Sequence, residues 1–325
     1  VTRELDADLS VAGVDCPLSR LALGTAFFSL QRQDICFDLL DRFVEAGGTA
    51  IDTARGYSES EAVIGAWLEQ RGRRGEVVLI TKCAHGDDML PADNFERVVT
   101  GELAASLTAL RTDCIDLYML HRDNPSVPVA RIVERLNQAV AAGRVRALGA
   151  SNWTYNRVDA ANEYAEKRGL AGFLVVSNHL SLAKTRGPFY PNLVTVSPAA
   201  ERWHRHTGTP LLAWSAQARG FFTGRYTPQL AARAGELDDF ARRMIDVYGT
   251  DANFERLRRA SALGQAKGGF SAVQVALAWL LHKPFPVVPI VGPHTTDELA
   301  SSLAAVQLDL TDDELAWVNV EDWTS

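Results

Sequence analysis

Eight short apolar runs recur along this chain, with longer amphipathic or mixed segments between them. They cover Leu21–Thr25, Thr49–Thr53, Val77–Lys82, Ile115–His121, Val145–Ser151, Phe173–Ser177, Leu211–Ser215 and Val287–Val291. Strand-length runs alternating with helix-length segments predict a parallel sheet with crossover helices, and eight of them match a closed α/β barrel. The intervening segments carry helical spacing: Ile35, Leu39, Leu40 and Phe43; Leu103, Leu107 and Leu110; Ile132, Leu136, Ala139 and Val140. Gly47 and Gly143 follow the first and third of these sets, where a glycine commonly ends a helix. Val273, Ala276, Leu277 and Leu280 form the most apolar late helix.

Three features depart from this rhythm. Asp8 to Leu18 alternates and turns at Gly13, which predicts a small hairpin over the barrel bottom. Between Ala216 and Gly269 the spacing from the seventh to the eighth run is far longer than a simple crossover, so an extended functional loop region is expected there. Thr185 to Pro198 is a second irregular stretch. With no repeat and no interdomain linker, residues 1–325 read as a single barrel domain, although length alone admits two.

Composition narrows the partners. An apolar share of 47% supplies one large core, and a formal charge of -7 carries no basic excess for nucleic acid or an anionic membrane. Cys16, Cys36, Cys83 and Cys114 are scattered without a CxxC pair, so neither a zinc site nor a disulfide framework is expected, and the four read as reduced core thiols. The N-terminal VTRELDADLS is polar and acidic and no run approaches bilayer length, so a cytoplasmic enzyme is the expectation.

Polar residues stand at the ends of neighbouring runs: Asp52, Lys82 and His121, with Tyr57 in the loop after the second. Singly, each has a structural reading as a cap, a snorkelling cation, a core histidine or a packed ring. Together on one rim they form a carboxylate, an ammonium, an imidazole and a phenol, the groups needed to protonate an oxygen that becomes negative as hydride arrives at carbon. A metal-dependent hydrolase fits less well, because only one histidine is present in the set and Lys82 would repel a metal.

The segments GTAIDTARGYSESEAVIG, VVLITKC, IDLYMLHRDNP, AGRVRALGASNW, LLAWSAQARGFFTGRY and VALAWLLHKPFPVVPIVGPHTTDELASSL resemble, in order, those of the aldo-keto reductase superfamily. The resemblance spans about Leu21 to Val306. It implies a (β/α)8 TIM barrel and an NADPH-dependent oxidoreductase, with NADH the alternative, acting on a small-molecule aldehyde or ketone. By the same resemblance Tyr57 is the general acid, Lys82 lowers its pKa, Asp52 orients Lys82, and His121 positions the carbonyl oxygen. Cofactor contacts fall on Gly24, Thr25, Asp52, Ser151, Asn152, Ser177, Trp214, Ser215, Ala216, Gln217, Arg219, Gly220, Gly292, His294, Glu298 and Ser302. Ser151 and Asn152 match the carboxamide-binding positions, Ser177 replaces a glutamine of longer reach, and Trp214 offers a stacking platform for the nicotinamide. Ser215 through Gly220 would line the pyrophosphate.

At the adenosine end the reading divides. His294 is the one cation expected there, Thr295 and Thr296 offer hydroxyls at a helix start, and Glu298 stands where relatives often carry Arg or Gln. A carboxylate disfavours a 2′-phosphate and suits ribose hydroxyls instead. Phe27, Phe28, Arg55, Tyr57, His121, Arg122 and Trp153 are the candidate substrate contacts, with Asn124, His179 and the turn around Tyr190 beside them. This mixture suits a sugar-like carbonyl compound or a plain aromatic aldehyde. The competing reading is a nicotinamide-binding regulatory subunit with little turnover, and nothing in the sequence marks an oligomeric state.

Overall fold

The computed structural model describes residues 5, 7–85, 94–233, 235 and 237–320. Part of the acidic N-terminal segment, residues 1–4 and 6, lies outside them, as do 234 and 236 of the extended region. The described chain opens with an antiparallel hairpin, β1 (Ala7–Leu9) paired with β2 (Leu18–Ser19), around Gly13 at φ +84°. Eight parallel strands follow and close into a barrel: β3 (Ala22–Gly24), β4 (Ala50–Asp52), β5 (Val78–Cys83), β6 (Ile115–Leu120), β7 (Val145–Ser151), β8 (Phe173–Ser177), β9 (Leu211–Ala213) and β10 (Val287–Val291). Each strand pairs with its sequence neighbours, and β10 returns to β3. The eight apolar runs are these eight strands. Pairing is shorter than the runs at β4 and β9, although the Thr53 amide still donates to the Ile80 carbonyl at 2.8 Å and Trp214 keeps one bridge, to His179.

The outer ring consists of α1 (Gln33–Glu45), α2 (Ser60–Arg71), α3 (Phe95–Ala109), α4 (Val129–Ala141), α5 (Tyr155–Arg168) and α6 (Pro198–Thr207), continued by α7 (Pro228–Ala231), α8 (Asp239–Tyr248), α9 (Asp251–Ala266), α10 (Ala272–Leu281), α11 (Thr296–Ala304) and α12 (Asp312–Val318). The region between β9 and β10 is therefore helical over most of its described length. Its helix starts are marked by side chains that satisfy free backbone N–H groups: Thr227, Asp238, Thr250 and Ser271 each accept a hydrogen bond at the N-terminus of α7, α8, α9 and α10. Among the described residues no helix is long and apolar enough to cross a membrane.

Two apolar layers sit on either side of the barrel wall. Inside, Ala22, Ala50, Val78, Ile80, Leu117, Met119, Ala147, Val175, Leu212 and Val288 fill the lumen, and Val11 and Leu18 of the hairpin cap it from below. Between wall and helices lies the larger cluster, including Phe43, Trp67, Phe95, Leu136 and Trp279. Side chains alternate across a strand, so the inward line that begins with Val78 and Ile80 reaches Lys82, and that of Leu117 and Met119 reaches His121. The cysteines are free, but only Cys36 and Cys83 are buried core thiols; Cys16 and Cys114 are half-buried because they precede β2 and β6, where the chain enters the barrel bottom from solvent.

Candidate active site

Strand alternation sets polar groups above the apolar fill at the carboxyl end of the barrel. Asp52 ends β4, Lys82 is the penultimate residue of β5, and His121 follows the last residue of β6. All three are buried. Lys82 Nζ donates to Asp52 Oδ1 at 2.5 Å and to the Thr53 carbonyl at 2.9 Å. It also stands 5.5 Å from the centroid of the Tyr57 ring, which is 5.4 Å from the His121 ring and edge-on to it. The four residues converge as one cluster.

Their electrostatics refine the expected roles. Burial works against the Lys82 charge, yet the Asp52 carboxylate outweighs it and holds the ammonium above its ordinary pKa. Burial pushes the Asp52 carboxyl up, opposed by Lys82. The Tyr57 phenol is raised, not lowered: burial dominates, Lys82 and Arg219 pull it down, and Asp52 adds to the rise. Lys82 thus acts on the phenol in the expected direction, against a larger effect of burial. Burial first, then the positive groups Lys82 and Arg122 with His85, hold His121 well below the usual histidine value, so its imidazole is neutral. Its Nδ1 is buried without a hydrogen-bond partner among the described residues.

The cofactor candidates separate into two groups. Ser151 and Ser177 are cross-strand partners at the ends of β7 and β8, both buried, and Ser177 Oγ has no partner among the described residues. The Trp214 indole N–H is likewise buried and unpartnered. A buried hydroxyl and a buried indole N–H without partners, at the carboxyl ends of β8 and β9, suit a polar planar group such as a nicotinamide carboxamide, so the residues present fit that cofactor. Gly24 and Thr25 lie beside Asp52, whose carbonyl accepts from the Thr25 amide at 3.0 Å and hydroxyl at 2.9 Å. Across the mouth, Ser215, Ala218 and Arg219 all have left-handed φ near +50°, followed by Gly220 at +84°. The Ala218 amide donates to the Ser215 carbonyl at 2.8 Å and the Gly220 amide to the Gln217 carbonyl at 3.1 Å, so the segment folds into consecutive tight turns. Gln217 Nε2 donates to Ser302 Oγ at 3.1 Å, which joins this loop, including Ala216, to α11.

Other candidates are committed elsewhere. Asn152, at φ +57°, donates to the His121 carbonyl at 3.0 Å and to Ser151 Oγ at 3.2 Å, and accepts from the Val194 amide, so its amide clips three segments together. Glu298 accepts from the His294 amide at 2.6 Å, while Thr295 caps α11 by accepting from the Glu298 amide. A carboxylate therefore already occupies the helix N-terminus that was expected to receive phosphate. Trp153 and Phe28 are buried, and Trp153 packs edge-on against Phe173, while its indole N–H has no hydrogen-bond partner among the described residues. Arg55 pairs at 2.6 Å with the buried Glu61, whose other oxygen accepts from Thr81. Burial of that carboxylate demands the cation, so at least one guanidinium nitrogen of Arg55 is engaged in the fold. Arg122 donates to the Pro191 carbonyl at 3.0 Å, Phe27 is largely exposed and packs on His294 at 4.2 Å, and Gly292 lies beside Phe27.

Arg32 and His85 escaped the sequence reading, and His179 and Arg219, named there, make contacts it did not foresee. Arg32 donates to the His294 carbonyl at 2.8 Å, a second cation at the adenosine end. His179 packs against Trp214 at 5.0 Å and contacts the Tyr248 hydroxyl at 3.2 Å, which ties α8 to the mouth; burial pushes its pKa down to about 3. Arg219 lies 4.3 Å from the Phe189 ring centroid, so the loop after β8 and the loop after β9 are joined. His85 joins Tyr57 and His121 as a third ring. No periodicity marks these, since all depend on loops that meet across the rim.

Comparison with known proteins gives this geometry its context. Residues 20–319 match the model of the Aldo/keto reductase family. The norsolorinic acid reductase stcV of Emericella nidulans is 30% identical over 318 residues, covering 92% of this chain and 76% of its own. The uncharacterized oxidoreductase YrpG of Bacillus subtilis is 30% identical, covering 93% and 91%. The aldo-keto reductase str7 of Strobilurus tenacellus is 28% identical, covering 93% and 85%. With a family model matched along nearly all of its length, the chain belongs to the aldo/keto reductase family and is an oxidoreductase acting on carbonyl groups.

Proposed function

We propose that the protein is a carbonyl reductase in which Tyr57 protonates the substrate oxygen, with NADPH as the cofactor and NADH the alternative. The single observation that carries this reading is the buried Lys82–Asp52 pair beneath a tyrosine ring that also meets a neutral imidazole. Ser151, Ser177 and Trp214 would hold the nicotinamide, and the left-handed loop from Ser215 to Gly220 would cover the pyrophosphate. The bound cofactor supplies a hydride to the carbonyl carbon.

The chain's own residues do the rest. The raised phenol keeps Tyr57 protonated at neutral pH, so the acid is loaded before substrate arrives. As negative charge develops on the carbonyl oxygen, the Tyr57 proton moves to it and a phenolate forms. Lys82 stabilises that phenolate, and Asp52 keeps Lys82 charged and in place. His121, neutral, donates a hydrogen bond to the same oxygen without adding a full charge. Tyr57 is only half-buried, which leaves a route for its proton to be restored from solvent.

Arg32 and His294 favour a 2′-phosphate and Glu298 opposes one. The substrate is an aldehyde or ketone; a sugar-like carbonyl compound and a plain aromatic aldehyde are both carried into the panel, with Phe28 and Trp153 packed in the core and Arg55 paired with Glu61. Several relatives are named norsolorinic acid reductases, which places that compound on the panel of candidate substrates. The test is oxidation of NADPH and of NADH by the purified protein across a panel of aldehydes, ketones and hydroxyketones. Turnover with at least one class supports the reading, and tight cofactor binding without turnover across the panel supports the regulatory alternative instead.

A further inference from the structure

One side of the mouth is charged unlike the rest of the chain. Acidic side chains outnumber basic ones by 40 to 33 overall, yet from residue 167 to residue 235 the sole acidic residue is Glu201. That carboxylate lies on α6 and is paired with Lys283 at 3.0 Å. The same stretch supplies the loops after β8 and β9, which therefore bring cations to the mouth without a carboxylate of their own. Carboxylates from other strands are already paired: Asp52 with Lys82, Glu61 with Arg55 and Asp123 with Arg157.

Within this stretch the backbone sets Arg219 apart. It adopts φ +52°, between Ala218 at +48° and Gly220 at +84°, a left-handed conformation that a residue with a Cβ rarely takes. Its guanidinium is held against the loop after β8, 4.3 Å from the Phe189 ring centroid and 5.7 Å from that of Tyr190. Arg122 reaches the same turn from the end of β6, through the Pro191 carbonyl at 3.0 Å. Gln217, two residues earlier, binds Ser302 on α11 instead. The loop after β9 thus has an adenosine side at Gln217 and another side at Arg219, whose charge is felt at the reaction centre. Burial raises the Tyr57 phenol, and Lys82 and Arg219 are the cations that pull it back; burial first and then Arg219 lower the His179 imidazole. Among the described residues the Arg219 guanidinium has no carboxylate partner, and its buried Nε has no hydrogen-bond partner.

We propose that Arg219 pairs with an anionic group of the substrate, so that the site prefers aldehydes and ketones that carry a carboxylate. This rests on the carbonyl-reduction reading. A cation that acts on Tyr57 and that no acidic side chain neutralises is completed by a negative charge brought in with the substrate. A carboxylate is the anion that a guanidinium matches with two parallel N–H donors. In a cleft with low-dielectric walls, the same unneutralised charge raises the local concentration of anionic compounds. The competing partner of Arg219 is the cofactor pyrophosphate, and the two assignments differ in whether the charge of the substrate matters.

The experiment compares terephthaldehydic acid and succinic semialdehyde, each with its methyl ester, at saturating reduced cofactor in the wild type, Arg219→Gln and Arg219→Glu. The quantity read is kcat/KM of the acid divided by that of its ester. Folding, cofactor affinity and the influence of Arg219 on Tyr57 are common to both compounds and cancel in that ratio. In the wild type the acid should be the better substrate in at least one pair. For that pair Arg219→Gln should lower the ratio by roughly tenfold or more, chiefly through KM of the acid, and Arg219→Glu should lower it further. Acids that are the poorer substrates in both pairs, or a ratio unchanged in both variants, would overturn the proposal while leaving carbonyl reduction standing. An unchanged ratio together with weakened NADPH binding, read by fluorescence titration, would give Arg219 to the cofactor instead. A wild type that reduces no acid, no ester and no compound of the wider panel would overturn both readings.

Discussion

Tyr57 stands between opposing influences: burial and the Asp52 carboxylate hold its proton on, and the Lys82 ammonium and Arg219 guanidinium draw it off. The balance keeps the phenol protonated, so kcat/KM for reduction should be flat through neutral pH and fall only on the alkaline side. Lys82→Met removes a group that lowers the phenol's pKa and stabilises its phenolate. That variant should lose about 10²–10³-fold in kcat, with its alkaline limb moved to higher pH; a pH–rate profile of both proteins checks the magnitude and the sign. At the adenosine end, Glu298 fills the N-terminus of α11 with negative charge. Glu298→Gln should raise affinity for NADPH relative to NADH by several-fold, read by fluorescence titration of the two reduced cofactors. An unchanged ratio would remove Glu298 from cofactor discrimination.

At the scale of elements, the site follows from strand period. The inward alternation of β4, β5 and β6 delivers Asp52, Lys82 and His121 to one layer, which is why those positions were legible as the ends of apolar runs. Where the chain leaves that period, legibility ended. Ala84 turns left-handed and redirects His85, and nothing in the string of residues announces that reversal. Between β9 and β10, clusters of Gly, Pro, Arg and Asp read as an open loop; they are in large part caps and turns between helices, with Asp238 and Thr250 the helix starts. Asn152 is the connector of this scale. It fastens the end of β7 to His121 and to the loop after β8, so Asn152→Ala should cost about 1–3 kcal/mol of stability and lower turnover through a misplaced imidazole. Urea unfolding and steady-state kinetics check both; a stability loss with unchanged kinetics would confine Asn152 to the fold.

Across the whole molecule, eight runs and their spacing were enough to identify the barrel, because each strand must bury both faces and each helix one stripe. The surroundings of individual rim residues were less legible, because the packing of Trp153 and Phe28 and the pairing of Arg55 with Glu61 depend on segments far apart in sequence. Buried histidines add a property of the entire fold. His121, His179 and His204 all have pKa values lowered chiefly by burial, so the unfolded chain binds protons that the native state does not. Stability must then rise with pH in this range: the contribution is complete above the unfolded histidine pKa of about 6.5 and is lost progressively as pH falls toward the low native values, about 3 for His179. Urea midpoints between acidic and neutral pH should show that loss, and a midpoint independent of pH below neutrality would contradict it.

Everything in the proposed reaction turns on Tyr57 as the proton donor of a carbonyl reduction. Substituting Tyr57→Phe keeps the ring in its contacts with His121 and Lys82 and removes only the hydroxyl. Measured with the best carbonyl substrate of the panel, kcat/KM should fall by at least about 10²-fold while the affinity for reduced cofactor stays within a few-fold. Activity close to wild type in that variant would contradict the account.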